Sequence, residues 1–338
     1  MKTLSLPVLT TALFLSGCNS TDSDRLQLNL ANPHTPNSIT ALSDTHFAEL
    51  LNTRVGEQLT VTNHFGGALG YESRDHFEAV ETGALRIASS NLDKLVGFAP
   101  IFQLQSLPFL APGIQESLTL YQTARPYYET AFRDVGQTLL YASPWTPIGI
   151  WAKRRLEDSS DLSGLKIRTF DINGTETMKA AGAIPVQLPW GDVIPALSTN
   201  MIEAVLTSNE SGVAARFWEH MHYFHELGYA VGLSVVHMNR QTLDDLPADL
   251  QSMIYRTAAE VEADAWTRAE KKSAANNSIL KEHGVSIVTN TKYIRDHLIQ
   301  AGLPMLNEWK TAMGEKTAIS ILADYNTRLS TENSDKSR

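Results

Sequence analysis

Four side chains suited to ligand binding follow short apolar runs in the segment 164–208. Arg168 ends the first run, Trp190 follows the second, and Thr207 and Ser208 end the third. An arginine fork can hold a carboxylate through two hydrogen bonds, and an indole can cover an apolar carbon skeleton. Together these residue types indicate a site for an organic acid. The alternative stays open that Arg168 is a surface ion-pair residue and that Trp190 belongs to the core.

The elements between these side chains decide whether they can meet. The three apolar runs alternate with two helical patterns, in the order strand, helix, strand, helix, strand. This order predicts a parallel sheet with right-handed crossovers. Ligands bind beyond the carboxyl ends of the strands of such a sheet, so we expect the four side chains to lie near one another. Phe170, two residues after Arg168, is also an expected ligand-binding residue.

The segment 81–91 aligns without a gap with the segment 199–209. In both, the tail of a helix leads into a short strand that ends in two hydroxyl side chains and an asparagine. The likeness predicts two similar lobes that face a shared cleft, with Ser90 and Asn91 at the cleft in the first lobe. Chance similarity is the alternative.

A glycine-rich loop, residues 64–71, follows another predicted strand. It lacks the Gly-Lys-Ser/Thr of a Walker loop and the glycine spacing of a dinucleotide-binding loop. Glycines let a backbone approach a ligand closely, so Phe65 and Tyr71 are expected at the cleft, with a plain turn as the alternative. Trp145 lies near a predicted crossing between the lobes and is either a core residue or one wall of the cleft.

Composition excludes several classes of protein. A chain of 338 residues is long enough for two domains, its net charge is -9, and it contains no block of Lys and Arg, which argues against nucleic acid as a partner. His220 and His222 would share one face of a strand and could bind a metal. No acidic or cysteine partner follows at a suitable spacing, so we expect no metal site and no cofactor.

The N-terminus has the pattern of a secretory signal. Lys2 precedes an apolar stretch, residues 4–15, that is too short for an ordinary membrane span, and Leu15-Ser16-Gly17-Cys18 follows. This motif looks like a bacterial lipobox, which implies that Cys18 is lipidated and tethers the protein to a membrane outside the cytoplasm. Cys18 is the single cysteine of the chain, and a free thiol after an ordinary signal is the alternative.

The rest of the chain predicts a hinge and a long helix. We expect a helix in two pieces around Pro126, an uninterrupted helix from 248 to 283, and helices over 293–328 that break at 302–304 and at Gly314. The predicted divisions are a signal peptide (1–17), a tether (18–24), mainly the first lobe (25–145), mainly the second lobe (146–232), a return strand with the long helix and C-terminal helices on both lobes (233–330), and a polar tail (331–338).

The chain resembles the extracytoplasmic solute-binding proteins of TRAP transporters, the DctP-like family. The matching motifs are Asp161-Leu162-Ser163-Gly164-Leu165-Lys166-Ile167-Arg168, Gly182-Ala183-Ile184-Pro185-Val186 with Leu188-Pro189-Trp190, the run from Ala196 to Ala204, and the run from Leu243 to Leu250. The resemblance implies a two-lobed α/β fold of the periplasmic-binding-protein type, with hinge strands and a long helix that spans both lobes. It also implies capture of an organic acid for delivery to a separate membrane permease, with Arg168 as the carboxylate partner.

The sequence departs from the sialate-type members of this family in two places. Those members place a second arginine near the strand that here contains Ile148-Gly149-Ile150, and an asparagine where this chain has Thr207 and Ser208. Both changes make the pocket less polar, which favours a small or aromatic monocarboxylate over a sugar acid.

The sequence has two alternatives to transport as a function. A secreted hydrolase would need a nucleophile beside a base, and neither G-x-S-x-G nor H-E-x-x-H occurs, so we expect no enzyme activity. A tethered ligand-sensing lipoprotein of the same fold stays open as the alternative.

Overall fold

The computed structural model describes residues 25–336. The predicted signal peptide, Cys18 and the predicted tether lie outside these residues. The strands are β1 Leu26–Ala31, β2 Leu59–His64, β3 Ile87–Asn91, β4 Gln137–Pro144, β5 Ile148–Ala152, β6 Lys166–Thr169, β7 Ile184–Gln187, β8 Ala204–Ser208, β9 Tyr223–His225, β10 Leu233–Asn239 and β11 Ser286–Val288. The α-helices are α1 Ile39–Val55, α2 His76–Glu81, α3 Ile114–Arg133, α4 Ile172–Ala180, α5 Val193–Ser198, α6 Asn209–Ala214, α7 Arg240–Asp244, α8 Ala248–Glu282, α9 Lys292–Met313 and α10 Glu315–Lys336.

The first sheet has the strand order β2-β1-β3-β10-β4. β1 pairs in parallel with β2 and β3, and β10 pairs antiparallel with β3 and β4. One apolar cluster packs Phe47 of α1 and Val261 of α8 against this sheet, and another includes Phe132 of α3 and Trp309 of α9. We call this sheet and its helices the first lobe.

The second sheet has the strand order β11-β9-β5-β8-β6-β7. β6 pairs in parallel with β7 and β8, as the alternation of strands and helices over 164–208 predicts. β5 pairs antiparallel with β8 and β9. Its glycine, Gly149, lies where a Cβ would come within 2.3 Å of the carbonyl oxygen of His225, so the β5–β9 pairing excludes a side chain there. We call this sheet and its helices the second lobe.

The chain passes between the lobes at β4 to β5 and again at β9 to β10, and α8 connects them along one side. α8 has 35 residues and is about 50 Å long. Ile254 and Val261 pack in the first lobe, whereas Leu280 packs in the second. The uninterrupted helix predicted from 248 is therefore confirmed, and it spans both lobes. Within residues 25–336, no helix has the length and apolar character needed to cross a membrane.

Two prolines leave their helices intact, against prediction. α3 continues through Pro126 and α9 continues through Pro304. Both prolines are exposed, so the backbone carbonyls that lose an N–H partner can turn to water. The break predicted at Gly314 is confirmed, because this residue separates α9 from α10 with φ of 80°. The predicted polar tail continues α10 as far as residue 336.

His220 and His222 do not share a strand face, against prediction. β9 begins at Tyr223, after both of them, and the histidine that it contains is His225. The His225 ring is buried, accepts the Leu156 amide at Nε2 and binds the Ile150 carbonyl through Nδ1. His225 is therefore a hydrogen-bonded core histidine, and residues 25–336 hold no group of three or more His, Cys, Asp or Glu side chains placed to bind a metal.

Candidate functional site

A cavity of about 330 Å³ lies between the two lobes, beyond the carboxyl ends of their strands. Its wall includes His34 after β1, Asn91, Asp93 and Lys94 at and after the end of β3, Trp145 after β4, Arg168 and Phe170 around the end of β6, Trp190 after β7, and Thr207 and Ser208 at the end of β8. The structure thus brings together residues from both sheets. It does so because parallel strands direct their carboxyl ends to one edge.

Arg168 is the buried cation of this wall. Only 5 % of its surface is exposed. It lies on the short strand β6, and the pairing of β6 with β7 and β8 fixes its backbone. Its Nε and Nη2 donate hydrogen bonds to the carbonyl of Leu188 at 3.1 and 3.0 Å. These bonds orient the guanidinium, and no carboxylate of residues 25–336 forms an ion pair with it.

The electrostatic state of Arg168 suits anion binding. Burial lowers the pKa of the guanidinium from 12.5 to about 10, while the nearby carboxylates of Asp93 and Asp171 raise it. The side chain stays protonated at neutral pH. A desolvated cation that makes no ion pair with the protein gains more from a ligand carboxylate than an exposed arginine would, because water screens it poorly.

Aromatic rings form the apolar part of the cavity. Trp190 lies with its ring centroid 5.6 Å from the Arg168 guanidinium carbon, and 40 % of its surface is exposed. Trp145 stands edge-on to the His34 ring at 5.1 Å between centroids. Phe170 also lines the cavity. These rings can cover the carbon skeleton of a ligand whose carboxylate is held by Arg168.

The two hydroxyls at the end of β8 differ in availability. Ser208 is the N-cap of α6 and accepts the amide of Ser211 at 3.1 Å, so its oxygen is largely occupied. Thr207 lines the cavity, and its side chain makes no hydrogen bond with any residue of the described chain. Thr207 is therefore the better candidate for a ligand contact.

Residues 30–312 match the family model described as "Bacterial extracellular solute-binding protein, family 7" (DctP). The chain belongs to this family. It is 26% identical over 197 residues to the ectoine/5-hydroxyectoine-binding periplasmic protein UehA of Ruegeria pomeroyi, a match that covers 57% of this chain but only 58% of that relative. It is 24% identical over 251 residues to the 2,3-diketo-L-gulonate-binding periplasmic protein YiaO of Escherichia coli, over 72% and 75% of the two chains.

Solved structures agree with the fold. DctP6 of Bordetella pertussis, an extracytoplasmic solute receptor that binds pyroglutamic acid, superposes with a TM-score of 0.85 at 24% identity, over 89% of this chain and 99% of that one. A TRAP solute-binding protein of Shewanella oneidensis with bound succinate gives 0.80 at 19% identity, over 89% and 99%. The predicted family and the two-lobed α/β fold are confirmed. Members of family 7 are solute-binding receptors rather than enzymes.

Three residues expected at the ligand site of this family 7 protein do not line the cavity. Ser90 is fully buried inside the first lobe, with its hydroxyl 2.8 Å from Nε2 of His237. Tyr71 packs on the small apolar cluster around Val80, and Phe65 stays in the glycine-rich turn after β2. The loop lies beside the cavity wall, since the Gly66 amide donates to the carbonyl of His34 at 3.0 Å and Glu72 and Ser73, directly after the loop, line the cavity. The side chains of Phe65 and Tyr71 are not part of that lining.

Sequence reasoning missed charged residues that reach the cavity from short helical turns just beyond the strand ends. Lys94 of the first lobe donates to the carbonyl of Phe170 in the second lobe and pairs with Asp93 at 2.9 Å. Glu210 of the second lobe accepts the amide of Ile39 in the first lobe at 3.3 Å. Each lies within three residues of the end of a strand. A search for ligand-binding side chains up to three residues beyond each predicted strand would therefore have found both.

His34 is a further missed residue of the cavity wall, and it adds no charge there. Its Nε2 lies 3.0 Å from the hydroxyl of Ser234. Burial lowers the pKa of His34 to about 3, with the nearby His76 acting in the same direction. The ring is therefore neutral at pH 7, which leaves Arg168 and Lys94 as the cations of the wall.

Proposed function

We propose that this protein is the extracytoplasmic receptor of a TRAP-type transporter, which captures a small organic acid and delivers it to a membrane permease. The observation that carries the proposal is the buried guanidinium of Arg168, which faces a cavity between two lobes and has no carboxylate partner in the described chain. A cleft between hinged lobes can open to admit a ligand and close around it.

The cavity suits a small ligand with one carboxylate and an apolar or planar body. Its volume of about 330 Å³ is at the lower end of the range for small-molecule pockets, and three aromatic rings contribute to its wall. The relatives and similar structures whose names give a ligand bind ectoines, diketogulonate, pyroglutamate, acetolactate, succinate or galacturonate. We infer a small or aromatic monocarboxylate for this chain, since Arg168 and Lys94 are its only lining cations within residues 25–336 and Lys94 already pairs with Asp93.

We further propose that Cys18 anchors the mature protein to a membrane. Support comes from the sequence alone, in the motif Leu15-Ser16-Gly17-Cys18 after a short apolar stretch. A Cys18→Ala variant should leave the membrane fraction of the expressing cells and appear in the soluble fraction. A variant that stays with the membranes would refute the anchor.

A thermal-shift screen of organic acids tests the main proposal. A ligand present at 100 times its Kd stabilises the folded state by about 2.7 kcal/mol, enough for a clear rise in Tm. We expect monocarboxylates to raise the Tm, and their amides or methyl esters to leave it unchanged because Arg168 then lacks its anionic partner. Equal stabilisation by an acid and its methyl ester would refute carboxylate recognition.

A further inference from the structure

Glu210 is a buried carboxylate of the same cavity that no residue of the described chain fully satisfies. It lies in the first turn of α6 and is 3 % exposed. One oxygen, Oε1, accepts the Ile39 amide at 3.3 Å, which is long for a hydrogen bond, and Oε2 accepts none from residues 25–336. No Lys, Arg or His of that range forms an ion pair with it.

The other charges of the cavity wall have partners or are hydrated. Asp93 and Lys94 neutralise each other, and Glu72 is exposed to solvent. Arg168 is assigned to the ligand carboxylate under the proposed function. Glu210 is therefore left as one buried negative charge without a counter-charge in the wall.

A buried carboxylate with one oxygen, Oε2, that accepts no hydrogen bond is unfavourable. Burial raises the pKa of Glu210, and the Ile39 amide and the charge of Lys272 oppose this rise. A ligand N–H at this position would supply the missing hydrogen bond. The rings of Trp145 and Trp190 in the same cavity favour a positively polarised or cationic N–H over a neutral hydroxyl. A second carboxylate in this place would be repelled.

We propose that Glu210 forms a second subsite of the cavity that binds an N–H group of the solute. The inference rests on the proposed function, because Arg168 must hold the carboxylate for Glu210 to be free. It narrows the ligand to a small carboxylate that also carries nitrogen, as a cyclic amide, an amidinium or an ammonium group, and it excludes plain dicarboxylates.

Matched pairs of ligands that differ in one atom test this subsite. Pyroglutamate and 5-oxotetrahydrofuran-2-carboxylate share ring, carbonyl and carboxylate but exchange N–H for oxygen, and proline and tetrahydrofuran-2-carboxylate form the cationic pair. Calorimetry on the wild-type protein should give the nitrogen member of at least one pair a Kd at least about tenfold lower, because the oxygen member leaves Glu210 unpaired. Preference in the first pair alone assigns an amide N–H, and preference in the second a cationic one. Equal Kd values within both pairs, or tighter binding of succinate, would overturn the proposal.

Two variants locate the effect. Glu210→Gln keeps an acceptor for the Ile39 amide but turns an NH₂ group toward the ligand, so we expect the nitrogen preference to fall to about onefold or to invert. Glu219→Gln, a partly exposed glutamate of the same lobe that pairs with Arg216, should keep the wild-type preference. If Glu210→Gln keeps the wild-type preference for the nitrogen-containing ligands, Glu210 does not form the subsite.

The failure of this inference differs from failure of the proposed function. Arg168→Met should weaken every carboxylate, whether or not it carries nitrogen. If Arg168→Met binds all four ligands more weakly while wild type shows no preference for nitrogen, the proposed carboxylate binding is supported and the Glu210 subsite is refuted. If wild-type protein binds no carboxylate of the set or of the wider screen, both fall together.

Discussion

Replacement of Arg168 by methionine is the most direct perturbation of the site. Methionine fills part of the same volume but has no charge and no donors. The change removes the two hydrogen bonds to the Leu188 carbonyl and the cation that faces the cavity. The variant therefore separates the role of Arg168 in ligand binding from its role in the fold.

The effect on binding should be large. Loss of one partner of a buried, hydrogen-bonded charge pair costs about 2–5 kcal/mol, which corresponds to a Kd increase of about 30-fold to several thousand-fold. Arg168→Lys keeps the charge but loses the planar fork, so we expect an intermediate loss of about tenfold.

The effect on the unliganded fold should be small, because two contributions oppose each other. The lowering of the pKa of Arg168 from 12.5 to about 10 corresponds to about 3 kcal/mol that the unliganded protein spends on holding a buried cation at neutral pH. Loss of the bonds to the Leu188 carbonyl costs a comparable amount, about 1.5–3 kcal/mol for a bond to a charged group. We therefore expect the Tm of the unliganded variant to stay within a few degrees of wild type.

Calorimetry with the tightest acid of the thermal-shift screen measures the loss. Arg216→Met is a matched control, because Arg216 is an exposed arginine of the same lobe that also lies over a tryptophan, 5.9 Å from the ring of Trp218. This control should bind like wild type. An unchanged Kd in Arg168→Met would refute the assignment of the carboxylate to Arg168.

Three further predictions concern the site and the fold. Trp190→Ala should raise the Kd about five- to thirtyfold in calorimetry, because a ring that covers the ligand contributes about 1–2 kcal/mol, and a change below twofold would contradict it. Burial, together with Asp93, raises the pKa of Asp171 to about 7. The folded state then binds this proton more tightly than the unfolded chain, so its stability falls as pH rises from about 4 through 7. Asp171→Asn keeps an acceptor for the Gly174 amide but has no such proton to bind. In urea unfolding at pH 5 and pH 8, the unfolding free energy of the variant should therefore rise relative to that of wild type at the higher pH. An equal difference between the two proteins at both pH values would argue against this prediction. Gly212→Ala would place a Cβ 2.1 Å from the buried ring of Trp151 and should lower unfolding free energy by about 1–3 kcal/mol; an unchanged thermal melt would count against this close packing.

Residues at the ends of parallel strands could be predicted from sequence. Arg168 and Trp190 follow apolar runs separated by helical patterns, and that order alone directs both to one edge of a sheet. Trp145 could be placed near the crossing but not assigned to core or cleft, because that choice depends on which way the strand turns into the second lobe.

Ser90 shows where the same reasoning fails. It precedes Asn91 on β3, and successive side chains of a strand point to opposite faces. Asn91 lines the cavity, whereas the hydroxyl of Ser90 turns to His237 on the neighbouring strand. Position at a strand end therefore selects the region but not the face. The loop with Phe65 likewise lies beside the cavity wall, where the Gly66 amide binds the His34 carbonyl, but the Phe65 side chain is not among the lining residues.

The sequence by itself determined the alternation of strands and helices, the long helix and the arginine that ends a buried strand. These features follow from the spacing of apolar residues and the positions of Gly, Pro and polar turn residues, which are local properties of the chain. Only the tertiary structure decided which groups meet across the cleft. Ile39 and Glu210 are 171 positions apart, and Lys94 reaches Phe170 from the other lobe. Such contacts follow from how two lobes close on each other. The charge balance of the cavity is therefore set by packing rather than by any local motif.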